Sequence, residues 1–211
     1  EIWKSLGIPE DHIHFYGVDK NWWSRSGSPD KMPVGEIGGP DSEIFYEFTQ
    51  VEHNPKFGEK CHPNCDCGRF FEIGNSVFIQ YQKQADGSLK ELLQKNVDFG
   101  GGLERIAAAV NNTPDIFKTD LFWPIIKELE EASSFHYGQD ERATRAMRLI
   151  ADHLKASVMI CRDNVLPSNK AQGYVLRRLL RRCLNSGRKL GLEISRFPFE
   201  DLISRISGIY A

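Results

Sequence analysis

The stretch Val97-Asp-Phe-Gly-Gly-Gly-Leu-Glu-Arg105 carries the most information in this chain of 211 residues. An apolar segment runs into three glycines, and helix-forming residues follow. Glycine lets a ligand approach the backbone closely, and a helix that starts there offers free N–H groups suited to phosphate. Arg105 would add a bidentate cation in the first turn. The stretch predicts a strand, a turn and a helix from about Leu103, with either a nucleotide site or a plain turn between them.

The residues before this stretch predict a sheet. Alternating, β-branched or aromatic residues indicate strands at His12–Tyr16, Glu43–Phe48, Phe70–Tyr81 and Leu89–Leu93. A hairpin turn at Ala85–Ser88 would lead into the last of them. The many glycine and proline residues predict a long ordered loop over residues 17–41, around Trp22 and Trp23. We therefore expect a front module of mostly antiparallel strands.

The residues after Asp115 predict helices and a change of charge. An apolar stripe at helical spacing covers about Glu141 to Ile160, and a second helix starts near Tyr174. Four arginines would share the polar side of that second helix: Arg177, Arg178, Arg181 and Arg182. The net charge is −10 over residues 1–140 and +8 over residues 141–211. The basic part is either an ordinary solvated helix or a surface for a polyanion such as RNA.

Composition excludes several classes of protein. Hydrophobic residues make up 40% and charged residues 27%, which is typical of a globular chain rather than a disordered one. No apolar run reaches the ~20 residues that a bilayer span needs. The opening Glu1-Ile-Trp-Lys4 lacks a signal region, and we interpret the sequence as part of a longer chain. The uneven spacing of the five cysteines favours a reduced, cytoplasmic protein over a disulfide framework.

A polar insertion at residues 53–67 holds a candidate metal site. Cys61, Cys65 and Cys67 lie within seven residues, and three thiolates with one imidazole suit tetrahedral Zn²⁺. His53 is the preferred fourth ligand, because His62 is adjacent to Cys61 and harder to aim. Three reduced surface thiols are the alternative, but clustered exposed thiols would be prone to oxidation. We therefore predict a structural zinc site.

These segments together resemble the class II aminoacyl-tRNA synthetases, and within them the alanyl-tRNA synthetase family. Gly100-Gly-Gly-Leu-Glu-Arg105 resembles the third signature motif of the class. The other matching segments, in family order, are Asn21–Trp23, Gly39–Tyr46, Glu72–Phe78, Val97–Asp98, Ile150–His153, Pro167–Asn169 and Gly173–Arg178. The chain departs from the usual pattern at Phe99–Gly102, where Thr-Gly-Met-Gly is common. Further departures are at Gly74, where Trp is usual, and at Met32–Gly39, where the family has a cysteine-bearing loop.

The resemblance implies roles for particular residues. Arg105 would bind the ATP phosphates with Mg²⁺ present, while Gly100 and Gly102 leave room for the adenylate. Asp98, as a buried carboxylate, would accept hydrogen bonds from the alanine ammonium group. Asn75 would hydrogen-bond the alanine carboxylate, and Trp23 would wall a pocket sized for a methyl group. The residues implied to contact the tRNA acceptor stem are Asn169, Arg177, Arg178, Arg181 and Arg182.

The resemblance also implies the fold and the reaction. We expect an α+β fold: residues 1–138 form the later part of an antiparallel-sheet catalytic domain, and residues 139–211 begin an all-helical tRNA-recognition domain. The implied reaction is ATP-dependent activation of alanine and its transfer to tRNA(Ala), with no role for DNA or a membrane. Two earlier motifs of the class would come from the remainder of the synthetase chain, so these residues alone are expected to be inactive. A non-catalytic RNA-binding paralogue is the main alternative, and a zinc-dependent interaction module is a third.

Overall fold

The structure, a computed structural model, describes residues 1–193, 195 and 197–210. The chain divides into two compact units, residues 1–114 and 115–211. The predicted functional boundary at residue 138 lies within the second unit, and it stays a prediction. Ile194, Arg196 and Ala211, which belong to the predicted helical module, lie outside the described residues.

The first unit is built on a four-stranded antiparallel sheet in the order β1-β2-β3-β4. Its strands are β1 (Trp22–Ser24), β2 (Ile37–Glu47), β3 (Phe70–Lys83) and β4 (Leu89–Gly101). The predicted hairpin turn joins β3 to β4, and the Asp86 side chain accepts from the Ser88 amide at 2.9 Å. Helices α1 (Ile2–Ser5) and α2 (Leu103–Val110) accompany the sheet. The predicted antiparallel sheet with flanking helices is confirmed.

Two predictions for the N-terminal part are wrong. Residues 12–16 pair with no strand in the described part of the chain, and Glu10–His12 forms a short 3₁₀ turn instead. Local alternation is not enough, because a strand needs a partner for its backbone groups. The predicted loop over residues 17–41 contains β1 and the start of β2. A Cβ at Gly39 would lie 1.8 Å from the carbonyl oxygen of Phe78, so this glycine serves close strand packing rather than a loop.

The second unit is helical, as predicted. Its helices are α3 (Trp123–Ala132), α4 (Glu141–Arg162), α5 (Ala171–Lys189) and α6 (Phe199–Ile209). Asp140 caps α4 by accepting from the Ala143 amide at 2.7 Å. Fully buried side chains from all four helices form the core, including Ile125, Met147, Cys183 and Leu202. None of the helices in the described residues has the length and apolar character needed to cross a membrane.

Candidate functional site

The sheet brings three of the predicted alanine-binding residues onto one face. Asn75 on β3 pairs directly with Gly100 on β4, and Asp98 pairs with Val77. Val77 in turn pairs with Asp41 on β2. Directly paired residues project to the same side of an antiparallel sheet, as do alternate residues along one strand. The side chains of Asn75 and Asp98 therefore lie on the same face, and Gly100, directly opposite Asn75, lies between Asp98 and α2 along β4.

The space over Gly100 is open. A Cβ built on this residue would meet no atom of the described chain within 4 Å. Asp98 is exposed rather than buried, so the predicted burial of this carboxylate is wrong. The reason is its position on β4, an edge strand of the sheet. Exposure leaves the Asp98 carboxylate accessible to a ligand. It also weakens the attraction between this carboxylate and a cation, compared with the same pair in a dry pocket.

Trp23 has no described contact with these residues. It belongs to β1 and pairs with Gly39, which lies within the irregular stretch of the β2–β3 pairing between Gly38 and Asp41. Its side chain is 42% exposed, whereas its neighbour Trp22 stacks on Tyr81 with ring centroids 5.9 Å apart. The proposed pocket-wall role of Trp23 stays a prediction, because no described contact joins its ring to Asn75 or Asp98.

Arg105 lies in the first turn of α2, as predicted from the glycine stretch. Gly102, which precedes the helix, has no side chain to cap it. The guanidinium of Arg105 donates from Nη1 to Oε2 of Glu72 at 3.2 Å, and both side chains are partly exposed. An exposed pair of this kind is weak, so a stronger anion can replace the carboxylate. The arrangement suits an arginine that binds phosphate.

Sequence reasoning missed three carboxylates beside the predicted site: Asp41, Glu43 and Glu72. Asp41 accepts from Nδ2 of Asn75 at 3.0 Å, and Glu43 pairs with Asn75 across β2 and β3. Burial, then the negative charges of Glu72 and Asp41, raise the pKa of Glu43 to about 7. This part of the face is therefore electronegative. The available signal was the acidic pair in Asp41-Ser-Glu43, which the family match covers but to which no role was attached.

A cavity of about 800 Å³ runs beside β2 in the first unit. It is lined by residues of the N-terminal segment, including Trp3 and Tyr16, and by Asp41, Ser42 and Glu43 of β2. Asn75 and Asp98 do not line it. Two of the carboxylates beside the predicted alanine residues thus face this cavity, whereas Asn75 and Asp98 lie outside it.

The polar insertion forms a compact cluster of metal-ligating groups. The ligand atoms of His53, Cys61, Cys65 and Cys67 all lie within 4.8 Å of one another. Two contacts within the cluster join Cys61 Sγ to Cys67 Sγ at 3.5 Å and Cys65 Sγ to His53 Nδ1 at 3.7 Å. His62 is outside the cluster, because its Nδ1 contacts the Tyr16 hydroxyl at 3.0 Å. Of the two predicted alternatives, the geometry selects His53.

The thiols of this cluster differ in acidity. Burial alone would raise the pKa of Cys67, but hydrogen bonds from His53 and the Arg69 amide lower it to about 6. Burial and the neighbouring Cys67 raise the pKa of Cys61 to about 11. Three sulfurs and one imidazole nitrogen match the ligand set and number of a structural zinc site. The residues present therefore fit the predicted metal.

The predicted RNA-facing arginines lie on the solvent side of α5. Arg177, Arg178, Arg181 and Arg182 are all exposed. The opposite side of the helix is buried against α4, where Cys183 Sγ contacts the Ile150 carbonyl oxygen at 3.9 Å. Arg182 donates to Nε2 of His153 at 3.5 Å, and the Arg178 guanidinium lies 5.7 Å from the centre of the Tyr174 ring.

Asn169 lies in the segment between α4 and α5. Its side chain is exposed, and it stands two residues before the first residue of α5. Exposure of Asn169 and of the arginines on α5 is compatible with RNA contact, and their role stays a prediction.

Comparison with known proteins identifies the class. The chain belongs to the class II tRNA synthetases, since the family model described as "tRNA synthetases class II (A)" matches residues 1–209. The predicted resemblance is confirmed by this match.

The relatives narrow the resemblance to one kind of synthetase. The chain is 40% identical over 215 residues to the alanine–tRNA ligase of Treponema denticola, covering 99% of this chain and 34% of the relative. It is 42% identical over 214 residues to that of Borreliella burgdorferi, covering 100% and 34%. It is 43% identical over 197 residues to that of Desulfosudis oleivorans, covering 90% and 21%. The chain thus spans about a third or less of the length of these relatives.

Proposed function

We propose that this chain forms part of an alanine–tRNA ligase, which activates alanine with ATP and transfers it to tRNA(Ala). The observation that carries the proposal is the convergence of Asn75, Asp98 and Gly100 on one face of the sheet, with Arg105 in the helix that follows. The names of the relatives, at 40–43% identity, support alanine as the amino acid. An RNA-binding paralogue would have no need of that convergence.

The alanine ammonium group would bind at Asp98. This carboxylate is exposed on the open face, where it can accept from a charged donor. Asn75 pairs with Gly100 in the next row on the same face of the sheet, so it could contact the same small substrate. The open space over Gly100 would take the reacting carboxylate and the adenylate that forms from it.

The ATP phosphates would bind where β4 meets α2. Arg105 would exchange its exposed contact with Glu72 for a phosphate oxygen, a charge-assisted and often bidentate interaction. The attack of the alanine carboxylate on the α-phosphate needs positioning and charge stabilisation rather than a covalent protein nucleophile. Mg²⁺, when bound to ATP, would neutralise part of the phosphate charge.

The helical unit would bind the acceptor stem of tRNA(Ala). Arg177, Arg178 and Arg181 offer exposed cations to the phosphate backbone. Asn169 would contact base edges in the minor groove near the end of the stem, where the guanine amino group distinguishes base pairs. The basic charge of residues 141–211 supports this assignment.

The cluster of His53 and three cysteines would hold Zn²⁺. When bound, the metal would cross-link residues 53–67 and take no part in the reaction. The support is the donor set itself, with all four ligand atoms within 4.8 Å and His53 ready to complete it. A cytoplasmic location, where thiols stay reduced, remains a prediction consistent with such a site.

The experiment is an alanine-charging assay on the full-length gene product that contains these residues. Asp98→Asn is expected to reduce charging of tRNA(Ala) by about tenfold or more, the cost of losing a charge-assisted hydrogen bond. Glu91→Gln is the matched control, because Glu91 is also an exposed acid on β4 and its carboxylate pairs with Lys95 at 3.0 Å, outside the predicted site. An unmodified protein that binds tRNA but charges none with alanine would favour the RNA-binding paralogue.

A further inference from the structure

Asp41 fixes the orientation of the Asn75 side chain. Its Oδ2 accepts from Nδ2 of Asn75 at 3.0 Å, across the β2–β3 pairing. A carboxylate can only accept, so the amide must turn its NH₂ end toward Asp41 and its Oδ1 away. The residue that would contact alanine is therefore held in one of its two orientations by a neighbour 34 positions earlier in the chain.

This pair leaves two acceptors unmatched. Oδ1 of Asp41 and Oδ1 of Asn75 are both buried, and neither receives a hydrogen bond from any described residue. Buried polar atoms without a partner are rare in folded proteins, and each calls for an explanation such as a bound water, an ion or a ligand group. Two such oxygens on side chains that bond each other indicate a place that a donor group completes.

The surrounding charge indicates what kind of donor fits. Glu43 pairs with Asn75, and its carboxyl is influenced by the negative charges of Glu72 and Asp41. The positive charge of Lys20 lowers the pKa of Glu43, but by less than burial, Glu72 or Asp41 raises it. An electronegative site with unmatched acceptors favours a positively charged group with several N–H donors. A primary ammonium group has three.

We propose that Asp41 is a positioning residue for the substrate ammonium group, acting through Asn75. Asp41 holds the amide so that Oδ1 of Asn75 faces the ammonium, and the charge of Asp41 favours the cation. This inference rests on the proposed function. It also revises the role of Asn75: its oxygen accepts from the ammonium, and only its second N–H remains for the alanine carboxylate.

The test uses Asp41→Asn in the full-length gene product, with alanine-dependent ATP–pyrophosphate exchange as the readout. Asparagine keeps the size but removes the charge, and because its amide can either accept or donate, it no longer forces Asn75 into one orientation. The KM for alanine is expected to rise about 10- to 100-fold, with the KM for ATP and the melting temperature unchanged. Ser42→Ala is the control, because Ser42 projects to the opposite face, where it accepts from Trp3 Nε1 at 3.1 Å, and its loss should leave the KM for alanine unchanged.

Two inhibitors show whether Asp41 affects binding of the ammonium group or of the carboxylate group of alanine. Alaninol keeps the ammonium group of alanine and lacks the carboxylate, whereas lactate keeps the carboxylate and lacks the ammonium. Asp41→Asn should weaken inhibition by alaninol by the same factor as the KM for alanine and leave inhibition by lactate unchanged. A purely structural role would weaken both inhibitors and raise the KM for ATP.

The outcomes separate this inference from the function on which it rests. An unmodified protein that exchanges with alanine, together with an Asp41→Asn variant of normal KM, overturns the inference alone. Equal losses toward alaninol and lactate with a lowered melting temperature overturn it as well. An unmodified protein with no alanine-dependent exchange overturns both.

Discussion

Replacing Gly100 by alanine separates the stability of the sheet from its use as a ligand surface. The added Cβ would meet no atom within 4 Å, and the backbone there needs no left-handed conformation. The folded protein should therefore accept the methyl group without strain. Since alanine has less conformational freedom in the unfolded chain, Gly100→Ala should stabilise the protein by about 0.4–1 kcal/mol.

The same methyl group should damage activity. If the space over Gly100 holds the reacting carboxylate and adenylate, the methyl group displaces them from the geometry for attack. A misplacement of about 1 Å can cost roughly 100-fold in rate, which sets the size of the expected loss in kcat/KM for alanine-dependent ATP–pyrophosphate exchange. The measurements are this exchange and a thermal melt of the full-length gene product.

Gly208→Ala is the matched control for this prediction. Gly208 lies in α6, a Cβ there also meets nothing within 4 Å, and its φ is not in the left-handed region. The control should be stabilised by up to about 1 kcal/mol and keep its exchange activity. If Gly100→Ala is stable and exchanges at the normal rate, no ligand occupies that space. If it melts well below the unmodified protein, the packing argument itself is wrong.

Three further predictions concern the metal cluster, the basic helix and the electronegative face. His53→Ala should remove one zinc from the full-length protein by elemental analysis, whereas His62→Ala should remove none; equal retention in both variants would remove His53 from the ligand set. Arg181→Ala should weaken tRNA binding and reduce the slope of log K against log salt by about 1, with alanine-dependent exchange unchanged; an unaltered slope would mean that Arg181 contacts no phosphate. Burial raises the pKa of Glu43 from 4.5 to about 7, so its contribution to stability is full below 4.5 and lost as the pH rises through 7. Glu43→Gln should therefore raise the melting temperature relative to the unmodified protein at pH 8 and progressively less toward pH 5, and a difference independent of pH would count against the shifted pKa.

The local elements of the site could be predicted from sequence because their signals are local. The run from Val97 to Arg105 joins a β-rich segment, glycines and helix formers within nine residues, and β4 and α2 follow this pattern. The apolar stripes of α4 and α5 are similarly contained within each helix. The metal ligands also lie close in sequence. The sequence already favoured His53 over His62, because His62 is adjacent to Cys61 and harder to aim.

The parts that failed depend on pairing between distant residues. Residues 12–16 alternate like a strand but find no partner, whereas Gly38 and Gly39 look like a loop and lie in β2. The bond from Asn75 to Asp41 joins residues far apart in the chain, and only the β2–β3 register reveals it. The exposure of Asp98 follows from its place on an edge strand, which sequence alone does not give.

The most direct test of the account is ATP–pyrophosphate exchange by the full-length gene product with each of the twenty amino acids in turn. The names of the relatives, together with acceptors for one ammonium group beside Gly100, predict exchange with alanine. Glycine and serine should follow at lower kcat/KM, since the predicted pocket walled by Trp23 would separate substrates that differ by one small group by only about 10- to 200-fold. Exchange driven best by a larger amino acid, or by none from a folded and zinc-replete protein, would contradict the account.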